Sequence, residues 1–488
     1  MNVVRLIIVL LIVLGLIGSV LLGTVTTAYG MERTLSAERG RANALRGNFS
    51  LALSSRALPL ALSSRASERY LVNAATEWRT SLLPASTRIF ADLLPGDRID
   101  GHPAEDYLTS TSDVPEVAAP YAGLCTKDGT LLFERNVDSA VSMASTTKMM
   151  TALVALENMS ADHLLKVTSV AASTEGTSAG LQEDIELTLL DALYALLLPS
   201  GNDAAVVIAQ NISNTEARFV ELMNAKAAEL GLTSTHFADS SGLSDENHYT
   251  TVRDFLLLAR VCMDNRTFRD IVGSQTYTTT VGGEEREFVS TSMLPDVLEG
   301  AEALGIKTGS TDAAGFCFVG AAVARGIELY TVVFAAPSSE QRFYDTAELL
   351  EWGFRHYRAV ELINTSQQVA EVALLSWPDK TVAAYAPAAV RIELFDLNGP
   401  ISQEINITDI EGEASRGKTC GEIVWTQRDE VLATSSVVVG TTVLAPDFWQ
   451  GLTIAWQRFW GTFFGELTHA ESRLLLKQEL TVPEPSAA

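Results

Sequence analysis

Three short segments must be brought to one point by whatever fold this chain adopts: Ser145-Thr146-Thr147-Lys148, Ser200-Gly201-Asn202 and Lys307-Thr308-Gly309. Each alone has an ordinary explanation. Ser and Lys fall three apart in many chains of 488 residues. Ser-Gly-Asn is turn composition, and Lys-Thr-Gly suits the exposed end of a strand. Together, in this order, they supply a nucleophile, a base, a proton relay and an anion clamp, the set that an acyl-transferring serine enzyme needs. The long interval between the first and last segments leaves room for a helical insert. The fold expected is α+β: an antiparallel sheet flanked by helices, an α-helical insert, and a β-rich C-terminal domain.

The surroundings of each segment fit these roles. Thr146–Asn158 is rich in Met, Ala and Leu and reads as a buried helix. Ser145 then sits at its first turn and Lys148 on the same face, with Cβ atoms about 5–6 Å apart. A helix N-terminus favours the negative charge of an attacking alkoxide. Packed against Met149, Met150 and Leu153, the Lys148 amine would lose solvation, and its neutral form would take the Ser145 proton. Leu189–Pro199 is a long apolar stretch and Asp203–Asn211 restarts a helix, so Ser200-Gly201-Asn202 reads as a loop between helices. There Ser200 would pass a proton between Lys148 and a leaving amine. Asn202 would hydrogen-bond a substrate amide and hold the Lys148 ammonium. Ile306–Ser310 and Ala314–Ala322 read as two strands joined at Thr311-Asp312-Ala313. Gly309 removes a side chain where substrate must lie close to the strand backbone. Lys307 and Thr308 offer a charge and a hydroxyl to a carboxylate, and the N–H groups of Ser145 and Ser310 are a candidate oxyanion hole.

With these residues in place, the chain resembles the serine D-Ala-D-Ala carboxypeptidases, the low-molecular-mass penicillin-binding proteins. The resemblance runs from the strand pair at Tyr121–Asn136 through Leu198-Pro199-Ser200-Gly201-Asn202-Asp203-Ala204-Ala205, Phe219–Asn224, Leu230-Gly231-Leu232, Gly242-Leu243 and His248-Tyr249-Thr250-Thr251. It continues through Gly305–Gly309 and Ala314-Gly315-Phe316 and ends near Trp352-Gly353-Phe354. It implies the transpeptidase fold shared by penicillin-binding proteins and β-lactamases. It also implies a mechanism: Ser145 attacks the carbonyl between the last two D-alanines of a peptidoglycan stem peptide, Lys307 and Thr308 hold the terminal carboxylate, and Ser200 protonates the leaving D-Ala. Water then hydrolyses the acyl-enzyme, and β-lactams are expected to acylate the same serine. No metal or other cofactor is implied; the six histidines show no metal-ligand spacing, and His248 reads as a cap for the helix at Thr250–Asp254.

Two positions depart from the family pattern. Ser310 follows the Lys-Thr-Gly where an aromatic residue or His is frequent, and Ser290–Leu294 reads Ser-Thr-Ser-Met-Leu where an Asn often precedes a Leu pair. Neither removes a group that the chemistry requires. A class A β-lactamase is the rival enzyme, with Ser-Asp-Asn as its usual second motif and a separate deacylating Glu. Glu183, Asp184 and Glu186 are the acids to consider for that role. A D,D-endopeptidase would use the same site. The non-enzymatic alternative is an inactive cell-envelope scaffold, against which the intact Ser145 and Lys148 argue.

The flanks say where such chemistry takes place. Residues 1–30 contain the apolar run Leu6–Leu22, read either as a signal peptide cleaved near Ala28-Tyr29-Gly30 or as a retained membrane anchor. Both export the rest, so an extracytoplasmic, membrane-associated protein of a bacterial envelope is expected. Residues 31–112 read as a linker with helical pieces. They repeat one heptapeptide at Leu51–Ala57 and Leu60–Ala66, with Pro59 breaking any helix between the copies. The catalytic domain is placed at 113–358. Short strand-like runs between Val369 and Val439 make 359–446 a small β-rich domain for spacing or binding. Within 447–488, Trp449, Leu452, Trp456, Phe459, Trp460 and Phe464 recur at helical spacing. That helix is expected either to pack on the β-domain or to lie in a membrane interface. The net charge of −25 argues against nucleic-acid binding. Cys125 and Cys317 lie in apolar strand-like runs and are expected to be buried thiols.

Overall fold

Strand alternation sets out the catalytic sheet. In Gly315–Ala324, Cys317, Val319 and Ala321 enter one hydrophobic core and Phe318, Ala322 and Ala324 the other; in Ile327–Ala336, Tyr330, Val332 and Phe334 oppose Leu329 and Val333 in the same way. Side chains on a strand point alternately to its two faces, so a sheet covered on both sides shows unbroken apolar runs of this kind. The computed structural model describes residues 93–107, 114–243, 247–464, 470–477 and 479–480. The run Leu6–Leu22 and the repeated heptapeptide lie outside these residues.

Among the described residues the sheet has seven strands: β1 (Arg98–Ile99), β2 (His102–Pro103), β3 (Tyr121–Thr126), β4 (Leu131–Arg135), β5 (Glu302–Thr311), β6 (Gly315–Ala324) and β7 (Ile327–Ala336). Their order is β2-β1-β4-β3-β7-β6-β5, with antiparallel pairing. The Lys-Thr-Gly motif therefore lies on an edge strand, with one side of its backbone not paired to β6. The start of this sheet corrects the linker reading of 31–112. Ile99 pairs with Phe133, and Ile99, Ala104 and Tyr107 are buried in the core. Arg135, fully buried, closes the segment by holding Asp97 through Nε at 3.0 Å. Strands of two residues are too short to show a period.

One face of the sheet carries the helical insert: α1 (Lys148–Asn158), α2 (Leu189–Leu197), α3 (Asn202–Ser213), α4 (Glu216–Leu230) and α5 (Val252–Asp264). The other face is covered by α6 (Gln341–His356), whose Trp352 packs on Phe133 and on Phe395 of the next domain. All four cysteines are buried free thiols.

Beyond α6, β8 (Tyr357–Ile363) pairs with β11 (Val390–Phe395). A second sheet contains β9 (Gln368–Ala373), β10 (Thr381–Tyr385), β12 (Ile401–Ile407), β13 (Thr419–Gln427) and β14 (Glu430–Val439). The helix α7 (Phe448–Phe464) follows, and the chain then returns to this sheet as β15 (Arg473–Leu474) on β9 and β16 (Glu479–Leu480) on β12. Both ends of α7 are thus tied to the β-domain. Ile454 and Gly461 are buried and Arg458 donates to Leu375 O, so a narrow stripe of the helix faces that domain. Phe448, Trp449, Leu452, Trp456 and Phe464 are exposed. Among the described residues no helix is long and apolar enough to cross a membrane.

Candidate active site

Ser145 sits in a single 3-10 turn, Ala144–Thr147, that runs directly into α1, rather than in the first turn of the α-helix. The turn is tight. Ala144 has a left-handed φ of +47°, and the two Thr residues between Ser145 and Lys148 satisfy its carbonyls. Thr146 Oγ1 donates to Met143 O and Thr147 Oγ1 to Ala144 O at 2.7 Å. His248 is not the expected helix cap; Thr251 caps α5 by accepting from Asp254 N. His248 instead accepts from Ala238 N at Nδ1, which leaves the proton on Nε2, 2.6 Å from Thr147 Oγ1. It braces the turn from behind.

Lys148 is fully buried, and its surroundings are more polar than the sequence suggested. Its Nζ lies 2.8 Å from Ser145 Oγ, 2.7 Å from Asn202 Oδ1 and 2.6 Å from Ser241 O. The last two can only accept. A neutral amine has two N–H bonds and one lone pair. With both N–H bonds spent on the two carbonyl oxygens, the lone pair is left for the Ser145 hydroxyl. Burial pulls the Lys148 pKa down to about 7, against the opposing pull of Asp239 and Asp203. The half-buried Ser145 is thus joined to a base that is substantially neutral near neutral pH.

Asn202 opens α3, and both ends of its amide are engaged: Oδ1 by Lys148, and Nδ2 by Glu175 O at 2.8 Å. Here it holds the base, the second of the two tasks expected of it. Ser200 is buried and has a left-handed φ of +67°, an uncommon conformation for a residue with a side chain. Asp203, also buried, gathers the adjoining loop by accepting from Ser178 Oγ and from the N–H groups of Ala179 and Leu181.

On the opposite wall, Lys307 and Thr308 are buried in β5 and Ser310 is exposed. Lys307 Nζ donates to Thr308 O at 3.0 Å. Burial, then repulsion from Lys148 and Arg342, holds its pKa well below the usual lysine range. Gly309 has a reason beyond the one expected. A Cβ there would stand 3.1 Å from Met143 O, Ser145 N and Thr146 N, so the glycine lets β5 lie against the turn that carries Ser145.

Two features carried no local signal. The Asp239–Gly242 turn cradles Lys148: Asp239 Oδ1 accepts from the N–H groups of Ser241 and Gly242, and Ser241 O points at Nζ. Its composition marks a turn but not what the turn faces. Arg342, on α6, donates to Gly309 O at 3.1 Å and lies over the Phe343 ring. It brings a guanidinium to the wall that carries Lys307. Of the acids considered for deacylation, Asp184 pairs with Lys166 at 2.9 Å and Glu183 and Glu186 are exposed. Among the described residues no carboxylate hydrogen-bonds Ser145 or Lys148.

Comparison with known proteins agrees with this architecture. The profile of the D-alanyl-D-alanine carboxypeptidase family, peptidase S11, matches residues 109–338. The chain is similar to a D-alanyl-D-alanine carboxypeptidase of Streptomyces sp. strain K15, 34% identical over 242 residues that make up 46% of this chain and 83% of the relative. It is also similar to the D-alanyl-D-alanine carboxypeptidase DacF of Bacillus subtilis, 28% identical over 318 residues, 63% of this chain and 81% of the relative. In fold it is similar to the D-alanyl-D-alanine carboxypeptidase DacD of Francisella tularensis, with a TM-score of 0.51 and 23% identity over 70% of this chain and 98% of that one. An α+β fold with an edge strand and a helical insert converging on a Ser–Lys pair is the architecture of penicillin-interacting serine peptidases. The chain belongs to the D-alanyl-D-alanine carboxypeptidase family and is a serine-type hydrolase.

Proposed function

We propose that this enzyme removes the terminal D-Ala from peptidoglycan stem pentapeptides through an acyl-enzyme on Ser145. The observation that carries the reading is the buried Lys148, whose only hydrogen-bond partner among the described residues able to give up a proton is Ser145 Oγ. Ser145 Oγ attacks the carbonyl between the two D-alanines as its proton moves to Lys148 Nζ. The N–H groups of Ser145 and Ser310 receive the oxyanion. Lys307, Thr308 and Arg342 attract the terminal carboxylate. The proton returns through Ser200 to the leaving D-Ala nitrogen, and water then attacks the ester. A β-lactam offers a strained amide and a carboxylate in place of the peptide bond and terminal carboxylate, and acylates the same serine.

Incubation with a fluorescent penicillin and with a D-Ala-D-Ala pentapeptide tests this. Stable label on the peptide containing Ser145, together with released D-Ala, is expected. Label that turns over within seconds without D-Ala release would make the enzyme a β-lactamase. Cleavage of cross-linked peptide alone would make it an endopeptidase. No label on folded protein would revive the scaffold reading.

The two lysines predict the pH profile. Lys148 must be neutral to act, so acylation is expected to rise as pH increases through about 7. Lys307 must be charged to clamp a carboxylate, and it loses its proton below the ordinary lysine range. A bound carboxylate favours the charged form. The alkaline fall is therefore expected in kcat/KM, which reports the free enzyme, and not in kcat. A kcat/KM flat from pH 5 to 8 would contradict the role of Lys148.

We propose further that the protein acts outside the cytoplasmic membrane and that α7 lies in the membrane interface. Trp449, Trp456, Phe448 and Phe464 are exposed on a helix whose opposite stripe rests on the β-domain, and exposed aromatic residues of this kind favour the headgroup layer. Replacing Trp449 and Trp456 with Ser in a chain that begins at Met31 is expected to abolish co-sedimentation with zwitterionic vesicles; unchanged sedimentation would remove α7 from this role.

A further inference from the structure

Thr291 stands outside all three motifs, yet it touches both walls of the cleft. Its backbone N–H donates to Leu198 O at 3.1 Å, two positions ahead of Ser200. Its hydroxyl lies 2.6 Å from that of Thr308. Thr291 is exposed and Thr308 buried, so the pair runs from the clamp towards the mouth of the cleft. Thr308 Oγ1 also lies 3.5 Å from Lys307 Nζ. Two hydroxyls in contact spend one of their two protons on each other and keep one to offer. If Thr291 donates, Thr308 accepts from Thr291 and its own O–H is left for an anion. If Thr308 donates, the exposed Thr291 O–H is the one left. Either way the pair presents one directed O–H beside the Lys307 ammonium. A solitary Thr308 hydroxyl would rotate towards other acceptors.

We propose that Thr291 is a positioning residue of the carboxylate clamp, directing the hydroxyl proton of the Thr308–Thr291 pair at the terminal carboxylate of the substrate. The inference rests on the carboxypeptidase reading above. It assigns a use to one of the two places where the sequence departs from its family, the Ser290–Leu294 segment. The effect falls on recognition of the carboxylate and not on the attack by Ser145, because Thr291 has no hydrogen bond to Ser145 or Lys148.

The test compares wild type, Thr291→Val and Thr291→Ser on an acyl-D-Ala-D-Ala peptide and on its C-terminal carboxamide. All three proteins keep the N–H that bonds Leu198, and valine keeps the volume. Thr291→Val is expected to raise KM for the carboxylate peptide about 10-fold, the scale of one hydrogen bond to a charged group, with a much smaller change in kcat. KM for the carboxamide should move little, and Thr291→Ser should restore the carboxylate preference. Equal weakening of both peptides, failure of serine to rescue, or an unchanged KM would each overturn the proposal. If wild type releases D-Ala and Thr291→Val matches it, this inference falls alone; if wild type releases none, the carboxypeptidase reading falls with it.

Discussion

Replacing Lys148 with alanine is expected to slow acylation of Ser145 by about 10²–10⁴-fold, the range associated with loss of a positioned general base. The argument does not depend on the Ser-x-x-Lys spacing alone. Nζ is fixed by two carbonyl oxygens, one from Asn202 and one from Ser241, and the remaining contact is Ser145 Oγ. Burial supplies the second requirement, since it brings the amine to about 7. Lys148→Arg should fail as badly, because a guanidinium keeps its proton at any pH the protein survives. Asn202→Ala should give a smaller loss with the rising limb of the pH profile displaced, since the amine then loses one of the acceptors that orient it. The time course of fluorescent penicillin labelling measures all three, with thermal melting as the control for folding. Labelling of Lys148→Ala at the wild-type rate would mean that another group takes the Ser145 proton.

The sequence showed most of this site because its chemistry is local. Ser145 and Lys148 stand three residues apart where a 3-10 turn runs into α1, Ser200 and Asn202 flank the start of α3, and Lys307 to Ser310 share one strand, so each motif carries its own spacing. The helical insert was legible from the interval between the first and last motifs, and the β-rich C-terminal domain from its short strand-like runs between Val369 and Val439. What it did not show depends on contacts between distant segments. Ser241 gives Lys148 a carbonyl from 93 residues away, and no side chain advertises a carbonyl. Arg342 reaches Gly309 from a helix 33 residues on. His248 looked like a cap because it precedes a helix, but its ring faces Thr147 across 101 residues. The sheet strands at Arg98–Ile99 and His102–Pro103 were hidden by their length, and the return of the chain after α7 to both edges of the β-domain was hidden for the same reason. Gly309 was recognised as necessary for substrate approach, but the Ser145 turn that would meet its Cβ was not foreseen.

Gly242→Ala is expected to lower the acylation rate on the order of 10²-fold without touching a reacting group, the scale of a displacement of about 1 Å at a catalytic atom. Gly242 has a φ of +87°, and a Cβ on it would stand 2.0 Å from Ala144 O and 2.9 Å from Ser145 N. Neither neighbour is the end of a flexible side chain. Ala144 is already left-handed at +47° and is held by Thr147, which His248 braces, so the turn has little freedom to yield except by moving Ser145. The cradle also suffers, because Gly242 N and Ser241 N share the Asp239 carboxylate and Ser241 O fixes Lys148. Strain and clash can be separated with Gly231, which caps α4 at a φ of +76° with nothing within 4 Å of its would-be Cβ. Gly231→Ala carries the same kind of backbone penalty, about 1–2 kcal/mol, and should lower the melting temperature while leaving acylation at the wild-type rate. If both variants lose acylation equally, global destabilisation explains the loss. If Gly242→Ala alone loses it, the contact between the Asp239–Gly242 turn and the Ser145 turn is what keeps the nucleophile and its base in register.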